Sequence, residues 1–530
     1  MSEKVSGKAF DIKIFLRLMS FANSYRLRFS IAVFSTITLA FVAALNPYII
    51  SETVNDFVDN QDFQKLLYYI TILLAIVFAE VILQFLFIYY ANWVGQHIIR
   101  DIRRRIFRHI QSFKMSYFDH NSVGRLVTRV VSDIETIATF FSGGVFMIVS
   151  DILKMLVVIV VMFVMNWRLA FIVLAVLPIL VYATKVFQVA IKATFQDVRN
   201  QVANLNGFVQ ERVIGMKILQ LFSREDIEYE NFKEINNKHK KAHIKTVWYY
   251  SIFFPIAEIL SSIAIGLIVW YGGSQILEGF TTVGAVIGFI KMSQMLFRPL
   301  RQIADKFNQL QMGIVSGERV FKIIDTESFI SKKGTVVASN IQGDIEFKEV
   351  RFSYVKGQEV LKGVSLQVKK GQTIAIVGAT GAGKSTIINL INRFYEIDSG
   401  VITVDKIPVK DYELSSLRNQ IAIVLQDVFL FSDSIYNNIT LKNSQITLEE
   451  VKEAAKKIGI HDFIMTLPDG YNFNVKERGV MLSSGQRQLI AFLRAYVSKP
   501  RILILDEATS SVDSHAEQMI QYATEAITKG

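Results

Sequence analysis

Hydrophobic and polar positions divide the chain into two regions with different patterns. The first region contains six apolar stretches, each long enough to cross a bilayer, which takes about 20 helical residues. They lie at 29–51, 66–94, 145–165, 168–190, 248–273 and 281–305. One buried helix of a soluble protein could be equally apolar, but six in succession are hard to bury without lipid. The pattern therefore predicts a membrane domain.

Charges in the loops predict how these spans are oriented. The loop that follows the first span carries four acidic residues and one lysine, whereas the segment 95–144 is rich in arginine. Because positively charged loops tend to remain in the cytoplasm, 95–144 and 191–247 are predicted to be cytoplasmic, together with both termini. Both segments have helical patterns, so we expect them to continue the spanning helices beyond the membrane.

Composition narrows the class of protein. The net charge is +11, but the basic residues crowd beside apolar runs, which favours membrane lipids and not nucleic acid as partners. With no cysteine, disulfides, thiolate metal sites and cysteine nucleophiles are excluded. Near the N-terminus, Lys4, Lys8, Lys13 and Arg17 alternate with apolar residues. This predicts an amphipathic helix on the inner membrane surface and not a cleaved signal.

The second region, from Ile345 onward, alternates short β-rich runs with helical ones. IEFKEVRFSY, VSLQVK and TIAIV are predicted strands, and STIINLINRFY is a predicted helix. The predicted fold is multi-domain: an all-α six-helix transmembrane domain with long cytoplasmic helical extensions, followed by an α/β P-loop domain. The predicted boundaries are 1–325 for the membrane domain, 326–342 for a linker and 343–530 for the α/β domain.

The segment GATGAGKS (378–385) predicts a phosphate-binding loop, because it follows the predicted strand TIAIV and opens a helix. Its glycines allow backbone N–H groups to turn toward phosphate oxygens, and the helix N-terminus adds positive potential. We expect Lys384 to contact the β- and γ-phosphates of a nucleotide and Ser385 to bind Mg²⁺. A glycine-rich turn without a ligand is the alternative. The predicted nucleotide-binding residues are Gly378, Ala379, Thr380, Gly381, Ala382, Gly383, Lys384, Ser385 and Thr386.

A second nucleotide element is RILILDE, an apolar strand that ends in two carboxylates. Asp506 is expected to serve the magnesium site, and Glu507 to polarise the water that attacks the γ-phosphate. The two acids could instead cap a helix, since ATS follows them.

The sequence LSSGQ (482–486), with the two elements above, resembles the signature of the ATP-binding cassette (ABC) superfamily. It identifies the α/β region as an ABC nucleotide-binding domain. The whole chain resembles a type IV ABC exporter half-transporter, the class that includes multidrug exporters and lipid flippases. The nucleotide motifs are highly specific, whereas the membrane half is similar mainly in its layout.

The resemblance implies roles for further residues. Tyr354 matches the aromatic residue that stacks on adenine, and Gln426 matches a loop residue that would serve catalysis and the metal. ERG (477–479) resembles the loop that touches the partner's coupling helix, and Asp513 belongs to a loop crossing between the two nucleotide domains. The segments 117–135 and 211–225 are similar to the loops that carry the coupling helices. The residues expected to contact the partner's ATP are Ser483, Ser484, Gly485 and Gln486.

The resemblance also implies a mechanism. Two nucleotide domains meet head to tail with ATP between them, which reorients the membrane cavity, and hydrolysis resets it. The expected cofactors are ATP and Mg²⁺, and the partner is a second half-transporter, identical or different. The expected activity is ATP-driven export or flipping of amphipathic small molecules, lipids or peptides across the cell membrane. The alternative on the same scaffold is an ATP-gated channel or a regulatory membrane protein.

Two features depart from the family pattern. Ser484 stands where the signature usually has glycine, which leaves a homodimer and a heterodimer both open. The family's switch histidine, about thirty residues after the catalytic glutamate, would lie beyond Gly530. We interpret His515 as a helix-surface residue and expect the chain to be a fragment of a longer protein.

Ionisable residues at bilayer depth are candidates for the cargo cavity. Glu80 lies near the middle of the second span and Glu258 near the middle of the fifth. They would favour an amphipathic or cationic cargo. The alternative is intramembrane pairing, for instance with Lys291, while Asp151 and Lys154 could pair with each other.

Overall fold

A computed structural model of the chain describes residues 11–60, 62–330, 334–506 and 514–528. The chain divides into two compact units, one formed by residues up to 110 together with 124–326, the other by 111–123 together with 327 onward. The helices as far as Ile324 are α1 (Ile12–Ser20), α2 (Arg26–Asn60), α3 (Phe63–Gln111), α4 (Met115–His120), α5 (Val123–Thr128), α6 (Ile134–Thr139), α7 (Phe146–Met165), α8 (Trp167–Ile214), α9 (Met216–Leu221), α10 (Glu225–Leu277) and α11 (Val283–Ile324).

Five helical stretches of the described residues are long and apolar enough to cross a membrane. They contain the first five predicted spans, and their bounds are Ile12–Phe57, Phe63–Gln111, Val123–Met165, Trp167–Ile214 and Glu225–Leu277. The sixth predicted span lies in α11, which is less apolar because it contains Lys291, Gln294 and Arg298. The predicted helical membrane domain is confirmed.

The predicted N-terminal amphipathic helix is present as α1. Asp11 caps it by accepting a hydrogen bond from the backbone N–H of Lys13 at 2.8 Å. Leu18 is fully buried and packs toward Gly317 of α11, while Arg17 forms an ion pair with Asp325 at 2.6 Å. Helix α1 is thus attached to the C-terminal part of α11. Lys4 and Lys8 lie outside the described residues.

Helices α2 and α11 approach closely along a pair of glycines four residues apart. A Cβ atom added to Gly284 would lie 2.0 Å from the carbonyl oxygen of Ser51, and one added to Gly288 would lie 3.1 Å from that of Pro47. The backbone N–H of Gly284 also donates to Asn55 Oδ1 at 2.8 Å. Small residues spaced in this way allow two helices in lipid to pack backbone to backbone.

The predicted helical extensions are confirmed in part. Helices α8 and α10 continue through 191–247 and are joined by α9. The rings of Phe187 in α8 and Phe253 in α10 stack with centroids 4.1 Å apart, which fixes the register of the two helices. The segment 95–144 is instead interrupted after Gln111 by the short helix α4, which belongs to the second unit.

The described part of the second unit contains two sheets. Its elements after Ile324 are β1 (Ile345–Val355), β2 (Gln358–Val368), α12 (Lys384–Ile391), β3 (Ser399–Val404), β4 (Ile407–Pro408), α13 (Leu414–Asn419), β5 (Ile421–Val424), α14 (Ile435–Thr440), α15 (Leu448–Lys457), α16 (His461–Met465), α17 (Ser484–Val497), β6 (Ile502–Leu505) and α18 (Ser514–Thr528). The antiparallel sheet has the order β2-β1-β3-β4, and β5 pairs with β6 in parallel.

Each part of the second unit has its own apolar core. Phe347, Ile402 and Leu390 are buried where the antiparallel sheet packs with α12. Leu489 and Phe492 belong to a second cluster, in which α17 packs with α14 and α15. These clusters hold the ends of α12 and α17 in fixed positions, and both ends carry predicted nucleotide-binding residues.

One predicted strand is not formed. No strand is assigned within the described segment 373–377 (TIAIV), where Ile374 is 43% exposed and Val377 is 87% exposed. A strand requires a hydrogen-bonded neighbour, and β5 and β6 pair with each other without including this segment. The prediction of strands over IEFKEVRFSY, VSLQVK and RILIL is confirmed.

We expect Gly284→Ala to lower the thermal stability of the protein, because the added methyl group overlaps the Ser51 carbonyl and forces α2 and α11 apart. Overpacking of this kind typically costs about 1–3 kcal/mol. The measurement is the melting midpoint of the purified protein in detergent. Gly273→Ala in α10 is the matched control, because a Cβ atom there meets no atom within 4 Å. Equal midpoints for the two variants would contradict this account of the packing.

Candidate nucleotide-binding site

The predicted phosphate-binding loop leads directly into α12. Gly383 precedes this helix with φ of 90°, and Gly381 has φ of 84°. These left-handed conformations favour glycine, and a Cβ atom at Gly383 would also lie 2.8 Å from a methyl group of Leu361. The loop therefore needs glycine at these positions. Residues 378–382, including Thr380 and Ala382, are exposed.

The side chain of Lys384 folds back onto its own loop. Its Nζ donates to the carbonyl oxygens of Gly378 at 2.8 Å and Ala379 at 3.2 Å. The ammonium group is thus held against the exposed loop, beside the N-terminus of α12. This arrangement places a positive charge and a helix N-terminus together, the combination that binds phosphate.

Ser385 and Asp506 lie next to each other although 121 positions separate them in the chain. The Ser385 hydroxyl donates to Asp506 Oδ1 at 3.5 Å. Asp506 directly follows β6, and Gln426 lies two residues beyond β5, its parallel neighbour. The carboxyl ends of parallel strands meet at one edge of a sheet, so these two residues share that edge.

These side chains fit Mg²⁺. The described residues contain no group of three or more His, Cys, Asp or Glu that could hold a metal ion by themselves. A hydroxyl, one carboxylate and an amide oxygen are all hard oxygen donors, and Mg²⁺ is typically held by one or two carboxylates together with phosphate oxygens and water. The chemistry of Ser385, Asp506 and Gln426 therefore agrees with the predicted metal.

Tyr354 lies near α12 in a cluster of aromatic rings. Its ring meets those of Tyr395 and Phe352 edge to face, at centroid distances of 5.0 and 4.8 Å, and its side chain is 38% exposed. The Tyr354 hydroxyl donates to the Thr386 hydroxyl at 3.3 Å, next to the phosphate-binding loop. These contacts hold a partly exposed ring close to the loop, and the adenine-stacking role of Tyr354 stays a prediction.

The signature residues form the N-terminus of α17. Ser483 caps the helix by accepting from the backbone N–H of Gln486, while the Gln486 side chain accepts from the backbone N–H of Ser483 at 2.9 Å. Ser484 is exposed and Gly485 is buried. The Ser483 and Gln486 side chains thus stabilise the helix end, and Ser484 presents its side chain to solvent there.

Other predicted residues are only partly described. ERG forms a short 3₁₀ turn, and a Cβ atom at Gly479 would lie 2.9 Å from a Leu430 methyl group. Glu507 and Asp513 lie outside the described residues, and so does the side chain of His515. Their roles remain predictions from the sequence.

The structure adds a contact that the sequence did not reveal. Tyr395, which touches Tyr354, donates a hydrogen bond from its hydroxyl to Asp119 of α4 at 2.7 Å. Burial, together with the accepting Asp119 carboxylate, raises the pKa of Tyr395 above its usual range, so the phenol remains a donor at neutral pH. The backbone N–H of Lys114 also donates to the Ser328 carbonyl at 2.7 Å. The predicted coupling segment therefore packs next to the aromatic cluster.

In the membrane unit, Glu80 is half-buried in α3 and Glu258 is exposed in α10. The suggested pairing of Asp151 with Lys154 is wrong, because Asp151 accepts its hydrogen bond from Lys306 of α11. Two residues three positions apart on one helix can reach each other, but here the carboxylate is bonded to a lysine of a neighbouring helix.

Comparison with known families finds one match in the membrane region of the chain and one in the nucleotide-binding region. The chain matches the model of the ABC transporter transmembrane region over residues 29–300 and that of the ABC transporter over residues 361–510. These two matches include the first five predicted spans and most of the site described above, whereas Tyr354 precedes the second match.

Several known proteins are similar over most of the chain. An uncharacterized ABC transporter ATP-binding protein of Bacillus subtilis, YknV, is 34% identical over 100% of this chain and 88% of its own length. A putative multidrug export ATP-binding/permease protein of the same species is 35% identical over 83% of this chain and 76% of its own length. An ATP-dependent lipid A-core flippase of Syntrophus aciditrophicus is 32% identical over 98% of this chain and 86% of its own length.

With both family models matched in a single chain, and with relatives of this identity along its length, the chain belongs to the ABC transporter family, as an exporter-type half-transporter whose multi-pass membrane domain is joined to a domain that hydrolyses ATP to drive transport.

Proposed function

We propose that this chain pairs with a second half-transporter and moves amphipathic molecules, such as lipids or drugs, across the cell membrane. The proposal rests on one observation above all: the phosphate-binding loop holds Lys384 while Ser385 lies beside Asp506. The names of the relatives, a multidrug export protein and a lipid A-core flippase, support the cargo class. Both termini are assigned to the cytoplasm, and the domain boundaries to 1–325 and 343–530.

The proposed chemistry assigns each residue one task. Lys384 exchanges its carbonyl partners for the β- and γ-phosphates of ATP, and Tyr354 stacks on the adenine. Ser385, Asp506 and Gln426 hold Mg²⁺, which when bound neutralises charge on the phosphates. Glu507 orients the attacking water and takes its proton. The signature residues at the start of α17 contact the γ-phosphate of the ATP held by the partner subunit, so two chains complete each site.

Transport follows from closure and reopening of this paired site. ATP draws the two nucleotide domains together, and the segment 111–123 moves with the domain to which it is bonded through Tyr395 and Asp119. That movement turns the membrane cavity outward. Hydrolysis removes the bridging γ-phosphate, so the domains separate and the cavity returns to its starting orientation.

We expect Glu507→Gln to lower the turnover of ATP at least a hundredfold while ATP binding is retained, because general-base catalysis contributes about 10²–10⁴ in rate. Lys384→Ala is expected to weaken ATP binding itself. The measurements are phosphate release and equilibrium binding of labelled ATP to the purified protein. Lys457→Ala, at the exposed end of α15, is the control and should behave as wild type. Full turnover in Glu507→Gln would overturn the assignment of the base.

Tyr395→Phe removes the hydrogen bond to Asp119 and leaves the ring contact with Tyr354 in place. We expect basal hydrolysis and the KM for ATP to remain near wild type, while the cargo moved per ATP hydrolysed falls severalfold. Transport and phosphate release are measured on the same vesicles. Asp119→Asn in the Tyr395→Phe background should add little. Tyr522→Phe, an exposed tyrosine of α18, serves as control, and unchanged coupling in Tyr395→Phe would refute this role.

Glu80→Gln tests whether Glu80 lines the cargo cavity. If it does, the uptake of a lipophilic cation into inside-out vesicles should fall about tenfold, because the negative charge that balances the cation is lost. Glu80→Asp keeps the charge and should keep most of the transport. Basal ATP hydrolysis serves as a check on folding. Transport by Glu80→Gln at the wild-type rate would remove this residue from the cavity.

A further inference from the structure

A group of lysines stands at the membrane end of the α8–α10 helix pair. Between Glu234 and Glu258, helix α10 contains no acidic residue, but it contains Lys238, Lys240, Lys241 and Lys245. The apolar part of the helix begins at Trp248, three residues after Lys245. At 1.5 Å per residue, Lys245 lies about 5 Å from that point and Lys241 about 10 Å.

These lysines differ in how their charge is compensated. Farther from the membrane, Lys233 pairs with Glu230 and Lys238 pairs with Glu234, each at 2.7 Å. Lys240, Lys241 and Lys245 are exposed and form no ion pair with any residue that the structure describes. Uncompensated positive charge is therefore concentrated in the part of α10 nearest to the membrane.

Helix α8 contributes a further lysine at the same level. Because the rings of Phe187 and Phe253 stack across the two antiparallel helices, residues five positions beyond Phe187 in α8 lie level with Trp248 in α10. Lys192 occupies that position, is exposed and likewise forms no ion pair with a described residue. We call Lys192, Lys240, Lys241 and Lys245 the juxtamembrane lysine cluster.

The surroundings of the cluster have the properties of a membrane interface. Trp248 is 64% exposed and directly precedes the apolar span, a position where tryptophan commonly lies among lipid headgroups. Lysine side chains can extend their apolar stems along the helix and place the ammonium group at the headgroups. Basic residues within a Debye length of an anionic leaflet, about 8 Å at physiological salt, are attracted to it.

We propose that the juxtamembrane lysine cluster binds the phosphate groups of anionic phospholipids in the cytoplasmic leaflet. The site is distinct from the cargo cavity and from the nucleotide site, and it would keep an anionic lipid shell around the α8–α10 pair. The proposal rests on the proposed orientation, in which 191–247 is cytoplasmic. Phospholipid is favoured as the occupant because these exposed lysines, which form no ion pair with a described residue, stand beside Trp248 and the apolar span.

The test compares two double variants that remove the same number of charges. Lys192→Gln with Lys245→Gln removes the two uncompensated lysines nearest to the membrane, whereas Lys233→Gln with Lys238→Gln removes lysines that are paired with glutamate. Binding of phosphatidylglycerol and of phosphatidylcholine to the purified full chain in detergent is measured by native mass spectrometry without ATP. Basal ATP hydrolysis confirms that each variant is folded.

The wild-type protein should prefer phosphatidylglycerol, and the first double variant should bind it about 25-fold more weakly, at roughly a factor of five for each lysine. The second double variant should bind it like wild type. Equal affinities for all three proteins, or an equal loss in both variants, would overturn the proposal. Inorganic phosphate should not displace the lipid, and full displacement would overturn the assignment to phospholipid.

The orientation can be tested separately, because the chain contains no cysteine. A single cysteine introduced by Lys245→Cys should react with a membrane-impermeant maleimide only in inside-out vesicles. Labelling only in right-side-out vesicles would refute the proposed orientation and the cytoplasmic-leaflet assignment. Since lipid binding is measured without nucleotide or cargo, its failure would leave the proposed transport function unaffected.

Discussion

A backbone N–H or C=O group in hydrocarbon must find its hydrogen-bond partner within the protein, and the architecture of the first unit depends on this constraint. It explains why almost all of this unit is helical. With the backbone satisfied inside each helix, and with no hydrophobic driving force between helices in lipid, association depends on close packing. The approach of Gly284 and Gly288 to α2 shows how small residues provide it.

Much of the fold could be predicted from local patterns. Apolar length predicted the spans, and alternating short runs predicted β1, β2 and β6. The predictions that failed were those whose outcome depended on contacts between distant segments. The segment TIAIV has the composition of a strand, but a strand exists only where a neighbour pairs with it. Asp151 could reach Lys154 on its own helix, but only the packing of α11 brings Lys306 to it.

In the candidate site too, local features could be predicted from the sequence, whereas a contact between distant residues that share no motif could not. The phosphate-binding loop and the signature are runs of consecutive residues, and each forms a helix start whose geometry is local, so the sequence revealed them. The proximity of Ser385 to Asp506 was expected because both belong to motifs with a shared ligand. The hydrogen bond between Tyr395 and Asp119 joins residues 276 positions apart that share no motif, so no sequence signal connects them.

The inclusion of 111–123 in the second unit has a consequence for biosynthesis. The ribosome delivers α4 well before β1, so Asp119 cannot contact Tyr395 until four further long helices, α7, α8, α10 and α11, have been synthesised. During that interval the segment has no folded partner of its own unit. The second unit therefore completes its structure after translation of the membrane unit, and a quality-control step could distinguish finished from unfinished chains by whether this early segment has been captured.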